Sequence, residues 1–411
     1  MTGTLPPPRQ APHRGRAARW RSRLAALSAI AAMLPASAWA QACQPADWPL
    51  WSDFQRRFVQ ADGRVIDHSV AQRPSTSEGQ SYAMFFALVA NDRAVFDRVW
   101  RWSVDNLAAG DIGARLPAWQ WGQRQDGNWG VIDANAASDA DLWFVYALAE
   151  AGRLWNRADY TRDARTLLAR VAADEIADLP GLGRMLLPGP TGFALSGPLW
   201  RLNPSYLPVP LLRRFALIDR DGPWQAIAAN TVRMIEAATP RGFVADWVAY
   251  QAPEGKAAGF VADPEKGAVG SYDAIRNYLW AGMTPAGDPA RKPLLRALSG
   301  MQDALTATGL PPESVDTATG AAKGEAPVGF SAALLPYLAA RGANEELKRQ
   351  RTRVQASLPA DPLAPPEQAP RYYDHVLGLF GTGWDQQRYR FLSSGTLKLS
   401  WEKACPHAAT R

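Results

Sequence analysis

Three short stretches of this sequence place a carboxylate where a helix would begin. They are Ser75-Thr76-Ser77-Glu78-Gly79-Gln80-Ser81-Tyr82, Ala137-Ser138-Asp139-Ala140-Asp141 and Ser271-Tyr272-Asp273-Ala274-Ile275-Arg276. Two carboxyl groups in opposite protonation states can cleave a glycosidic bond. One delivers a proton to the leaving oxygen, and the other, ionised, activates water or attacks carbon. The same residues also have a plain structural reading. Ser75 followed by Glu78 has the form of a capping box. Asp139 and Asp273, each just after a serine, would complement a helix dipole, and Asp141 reads as purely structural. Two details favour chemistry. Gly79 directly after Glu78 weakens a helix by about 1 kcal/mol relative to alanine, which makes sense where something must approach the backbone. Arg276, one turn after Asp273 on the same face, can hold a carboxylate ionised. A helix N-terminus lowers every carboxyl pKa, so the acid of the pair must be raised by burial or by a neighbouring carboxylate. Asp139 near Glu78 would supply that charge.

Trp119, Trp121 and Trp129 precede Asp139 in a segment dense with Gly, Asp and Asn, the kind of loop that carries exposed aromatics to the mouth of a scaffold. The chain has 17 tryptophans, which hints at carbohydrate because an indole face suits the face of a pyranose ring. Core packing is the competing account of each one.

The elements that must position these groups are helices. Apolar periodicity predicts twelve, near 48–60, 77–90, 92–107, 138–155, 158–177, 205–218, 222–238, 271–283, 289–305, 329–341, 343–356 and 371–381. Short strands are expected only in connections, for example Arg64 to Ile66 and Gly242 to Val248. Twelve helices in one series, without an internal linker or a repeated motif, suggest an all-α (α/α)6 barrel: six inner helices ringed by six outer ones, with the inner N-termini gathered at one mouth. The stretch from Pro359 to Pro370 reads as a stiff surface loop before the last helix.

The first forty residues read as a secretory signal: a basic region of six arginines without an acidic residue, an apolar run from Leu24 to Leu34, and Ala38-Trp39-Ala40 before a mature start at Gln41. The apolar run is too short to span a bilayer. Residues 41–411 are then one catalytic domain in the periplasm or outside the cell. The net charge of +6 is accounted for by those six arginines, so the basic balance is no evidence for nucleic acid or an anionic membrane. Two cysteines, Cys43 and Cys405, lie near the ends of the mature chain, where an oxidising compartment would permit a bridge. No metal-ligand spacing, phosphate-binding glycine loop or Gly-x-Ser-x-Gly elbow is present, and no cofactor is expected.

Read together, these blocks resemble glycoside hydrolase family 8. Ala137-Ser138-Asp139-Ala140-Asp141, continuing to Ala151 and Trp155, looks like that family's signature helix, with Phe144 and Val145 where Ile or Met and then Ala are usual. The likeness is greater to the periplasmic endoglucanases encoded with bacterial cellulose synthase. It is carried by Thr76 to Tyr82, Leu116-Pro117-Ala118-Trp119-Gln120-Trp121-Gly122, Asn203-Pro204-Ser205-Tyr206-Leu207-Pro208, Ser271 to Arg276, Pro327-Val328-Gly329-Phe330-Ser331-Ala332-Ala333 and Gly381-Thr382-Gly383-Trp384-Asp385. The resemblance implies an (α/α)6 barrel and an inverting endo-β-1,4-glucanase acting on cellulose, with the synthase complex as a partner. Glu78 would be the proton donor and Asp273 the base. Asp139 would hold the distorted sugar and tune Glu78. Trp119 or Trp121, Trp200, Tyr206, Tyr272, Arg276 and Tyr372 would contact sugar or flank the base. Two rival readings keep the architecture: a polysaccharide lyase, for which His68 and His375 are the available bases, and a non-catalytic glucan-binding partner of the synthase.

Overall fold

A computed structural model describes residues 46–69, 72–358 and 370–403. The leader, Cys43 and Cys405, and residues 359–369 of the proline-rich loop lie outside the described residues. The helices are α1 (Pro49–Phe58), α2 (Ser77–Val89), α3 (Arg93–Leu107), α4 (Ser138–Leu154), α5 (Ala158–Asp174), α6 (Val209–Ile218), α7 (Trp224–Ala237), α8 (Ile275–Met283), α9 (Arg291–Ala297), α10 (Gly300–Thr308), α11 (Val328–Arg341), α12 (Asn344–Ser357) and α13 (Tyr372–Asp385).

Burial sorts them into two rings. In α2 every residue but Glu78 is buried, in α4 every residue but Arg153, and in α8 every residue. A helix apolar on all sides belongs inside a fold. Outer helices bury one stripe only: α5 buries Tyr160, Ala164, Leu167, Leu168 and Val171, the spacing of a single helical face. The inner helices are α2, α4, α6, α8, α11 and α13, and the outer ones alternate with them along the chain, which makes an (α/α)6 barrel. The predicted outer helix at 289–305 is divided into α9 and α10. At the break Leu298 O accepts from Tyr337 Oη (2.6 Å) and Gly300 N donates to Gly242 O (3.0 Å), so tertiary partners replace the helical ones.

The barrel axis is filled, not hollow. Phe85 of α2, Trp143 of α4, Trp280 of α8 and Phe380 of α13 meet there, with ring centroids 4.8 Å apart for Phe85–Trp143, 5.4 Å for Trp143–Trp280 and 5.2 Å for Trp280–Phe380. The ring of helices closes through Phe86 and Phe380, 4.7 Å apart. At the C-terminal end of α4, buried Glu150 accepts from Arg214 Nε (2.6 Å), Arg153 Nη2 (2.6 Å) and Leu397 N (2.8 Å). These bonds tie the final hairpin, Tyr389–Phe391 with Leu397–Leu399, to the barrel floor.

Strands are more numerous than expected: fourteen short ones form five sheets among the described residues. They lie in the connections. The segment rich in Gly, Asp and Asn is a hairpin of β2 (Ala118–Gln123) and β3 (Trp129–Ala136), and β1 (Ser75–Thr76), at the head of α2, pairs with β2. The strands expected at Arg64 to Ile66 and Gly242 to Val248 are largely absent. Val65 makes one isolated bridge to Val59, and a true strand starts only at Val248, running to Gln251. Gly242 has φ +78° and turns the chain there.

Close helix crossings depend on glycine. A Cβ on Gly381 of α13 would lie 1.9 Å from Ala332 O of α11, and one on Gly282 of α8 would lie 2.2 Å from Tyr337 N. Gly381→Ala must therefore push two inner helices apart, an overpacking cost of about 1–3 kcal/mol. Urea unfolding should show that loss, whereas Gly259→Ala, which meets open space, should unfold like the parent. Equal midpoints for the two variants would contradict this packing.

Candidate active site

The N-termini of the inner helices converge on one buried guanidinium. Arg276 Nη1 donates to Glu78 Oε2 (3.1 Å) and to Tyr373 Oη (3.4 Å), and its Nη2 donates to Asp273 Oδ1 (3.0 Å) and Ser205 Oγ (2.9 Å). Asp139 Oδ2 lies 3.9 Å from Nη2. Three carboxylates nearly 200 residues apart in sequence thus share one cation, with Glu78 and Asp273 on different nitrogens. Asp273 Oδ2 also accepts from Asn203 Nδ2 (3.3 Å), and Asn203 Oδ1 in turn accepts from Ser205 N (3.0 Å) and Oγ (2.7 Å).

The capping box expected from Ser75 and Glu78 does not form. Ser75 sits in β1 and accepts from Arg64 Nε (2.8 Å), while Thr76 caps α2 by accepting from Gly79 N (3.1 Å). Glu78 is left facing Arg276 with its side chain one-quarter exposed. Gly79 is explained by a close approach: a Cβ there would lie 2.6 Å from Tyr372 Oη.

Asp139 is deeply buried beside Glu78, and its Oδ1 accepts from Ala140 N (2.8 Å). Burial first, and then the Glu78 charge, push its carboxyl well above the usual range. Behind it, Asp141 and Glu175 are buried beside each other, and no donor among the described residues reaches either carboxylate. Burial raises both, and the charge of the other members of this acidic row adds to it. Two ionised carboxylates cannot share a dry pocket, so this pair carries a proton.

Of the expected aromatic positions, some reach the cluster. Tyr206 lies beneath Arg276, whose Cζ is 5.9 Å from its ring centre. Burial and Asp139 raise its hydroxyl well above the usual range. Tyr272, 41% exposed, donates to Glu313 Oε1 (2.7 Å) and forms the cleft wall beside Asp273. Tyr372 packs its ring on Phe54 and Phe58, with its hydroxyl against the head of α2. Trp119 is half-buried on β2. Trp121 stacks on Trp129 (5.5 Å), with Arg64 over both rings, so part of its face is already covered. Trp200 belongs to a four-stranded sheet, opposite Tyr250.

Sequence reasoning missed several groups. Tyr373, next to the residue singled out, donates to Tyr272 O (2.7 Å) and accepts from Arg276. Trp247 stacks on Phe193 (5.9 Å) and lines, with Asp246, Lys266, Val269, Ser271, Tyr272 and Asp273, a cleft of about 350 Å³. The alternation from Gly242 to Val248 suggests a strand and gives Trp247 no visible role. Asn203 and Ser205 find their partners, Asp273 and Arg276, about seventy residues further along the chain.

The buried acids also govern stability. Asp141 and Glu175 bind protons more tightly folded than unfolded, so the folded chain holds more protons above the ordinary carboxylate pKa. Stability from this pair is therefore full at low pH and is lost as pH rises through the raised values. The double variant Asp141→Asn/Glu175→Gln should show a shallower decline in urea midpoint between pH 5 and 8 than the parent. An unchanged slope would count against the protonated pair.

Comparison with known proteins agrees with this geometry. Residues 25–387 match the family model for glycosyl hydrolases family 8. The chain is 49% identical to an endoglucanase of Pseudomonas fluorescens (strain SBW25), over 94% of this chain and 98% of that protein. It is 45% identical to an endoglucanase of Escherichia coli (strain K12), over 88% of this chain and 93% of that protein. The crystal structure of an endo-1,4-D-glucanase from Vibrio fischeri ES114 superposes with a TM-score of 0.81 at 39% identity, covering 86% of this chain and 99% of that one. With helical hairpins closed into a barrel and three carboxylates gathered at its mouth, the chain belongs to glycosyl hydrolase family 8 and is a glycoside hydrolase.

Proposed function

We propose that this hydrolase is an endo-acting cellulase that cuts β-1,4-glucan with inversion. The observation that carries the reading is Arg276 bridging Glu78 and Asp273 at the edge of an open cleft. One carboxylate lies on each terminal nitrogen, an arrangement that suits an acid and a base working from opposite sides of a sugar. The endoglucanase names of relatives at 45–50% identity support the substrate class.

In this mechanism Glu78 protonates the glycosidic oxygen as the bond to C1 breaks. Asp273, hydrogen-bonded by Arg276 and Asn203, takes a proton from the water that forms the new bond to C1 on the other face. Such a water needs carboxyls roughly 6.5–9.5 Å apart in the loaded site. Asp139 tunes Glu78 and holds the distorted ring. Tyr272 and Trp247 present aromatic surface along the cleft for successive glucose rings. The lyase alternative lacks a free base in His375, because its two ring nitrogens are engaged by Asp53 Oδ2 (3.0 Å) and Arg371 O (3.2 Å).

The biological setting we propose is the periplasm, where the enzyme trims glucan made by cellulose synthase. The leader supports export, and no helix among the described residues is long and apolar enough to cross a membrane. Sequencing of the protein recovered from a periplasmic fraction should begin at Gln41. A start at Met1, or recovery with the cytoplasm, would end the export reading.

Glu78→Gln and Asp273→Asn should each lower turnover of carboxymethyl-cellulose by about 10²–10⁴-fold or more while oligosaccharide binding persists. NMR of the fresh product should show the α-anomer. Full activity in a folded Glu78→Gln protein would remove the acid assignment, and a β-anomer would remove the water-activating role of Asp273.

A further inference from the structure

We infer that Asp246 is a positioning residue for Asp273, fixing the backbone of the base from a separate loop; this rests on the reading of Asp273 as the base. Asp273 is not inside a helix. It sits in the turn Ser271-Tyr272-Asp273-Ala274, ahead of α8, and its side chain is one-third exposed. Such a turn needs an anchor if its carboxylate is to be held on a water. Asp246 Oδ1 accepts from Ser271 N (2.8 Å) and from Ala274 N (2.7 Å), and Oδ2 accepts from Ser271 Oγ (2.5 Å). Ala274 N belongs to the peptide that leaves Asp273, so its plane is set by this carboxylate.

The contact works as a helix cap supplied from elsewhere in the fold. A capping side chain normally lies just before the helix it serves. Here it comes from 25 residues earlier for Ser271. The two loops are also joined along their backbones: Asp246 N donates to Val269 O (2.8 Å), and a Cβ on Gly270 would lie 2.2 Å from Val244 O. Asp246 is mostly buried, which raises its carboxyl, and the three donors aimed at it pull in the opposite direction and use both of its oxygens. The next residue is Trp247, which lines the cleft with Asp273. One loop therefore carries an aromatic wall of the cleft and the clamp on the base. A shift of the turn would change the aim of Asp273 while leaving its bonds to Arg276 and Asn203 to hold the side chain alone.

The test is steady-state kinetics on a soluble cello-oligosaccharide with Asp246→Ala and Asp246→Asn. Oligosaccharide binding is followed by tryptophan fluorescence, and folding by thermal melting. For folded Asp246→Ala, kcat should fall about 10–100-fold with KM within about threefold, since misplacement of a reacting group costs rate more than binding. Asp246→Asn keeps a carbonyl oxygen for the two amides and should recover most of that loss. Asp273→Asn is run beside them. If Asp273→Asn is inactive and folded Asp246→Ala keeps the parental kcat, Asp246 only supports the fold and the proposal is overturned. The same holds if kcat and KM change together and Asp246→Asn gives no rescue. If Asp273→Asn itself is active, the base assignment fails first, and the role given to Asp246 falls with it.

Discussion

Everything at the mouth of this barrel depends on one buried guanidinium holding three carboxylates. Without Arg276, the carboxylates of Glu78, Asp139 and Asp273 would face one another across the mouth with no compensating charge. With it, the site separates its groups. Asp273 is held in place by Arg276 Nη2 and Asn203 Nδ2. Asp139, too far from Nη2 for a hydrogen bond, is pushed by burial and by the Glu78 charge toward its protonated form. Acid and base chemistry in one cleft requires this kind of unequal treatment of like groups.

The scaffold makes that arrangement rigid. The inner helices α2, α4 and α8 bury almost every residue and leave few side chains free at the mouth, and the packed aromatic axis keeps their heads in register. Glycine at the crossings lets the backbones of α8, α11 and α13 approach directly. The strands then do local work. β1 and β2 fix the loop before Glu78, and the segment around Asp246 fixes the turn that bears Asp273. Barrel and connections thus divide the labour: the barrel gathers the groups, and the connections aim them.

The row Glu78, Asp139, Asp141 and Glu175 runs from the cleft into the interior, and among these four only Glu78 has appreciable access to water. Its inner half, Asp141 and Glu175, is costly to ionise, which ties the fold's stability to the protonation of that pair.

Local sequence determined a good deal of this. Apolar periodicity marked the helices, because a buried or half-buried helix must repeat its apolar residues every three to four positions. It placed Glu78, Asp139 and Asp273 at helix starts, and Arg276 one turn beyond Asp273. The motif blocks added the resemblance to a family. What the chain alone did not disclose was partnership across distance. Thr76 rather than Ser75 caps α2, and the Ser75 hydroxyl accepts from Arg64 instead. Trp200 is drawn into a sheet while Trp247 reaches the cleft, and Asp141 finds its partner in Glu175. Tyr373 and Asp246 gain roles only through what the fold sets beside them. Periodicity and capping are interactions between near neighbours and can be read along the chain. Proton affinity and side-chain aim depend on burial and on charges brought close through space, which only the folded chain supplies.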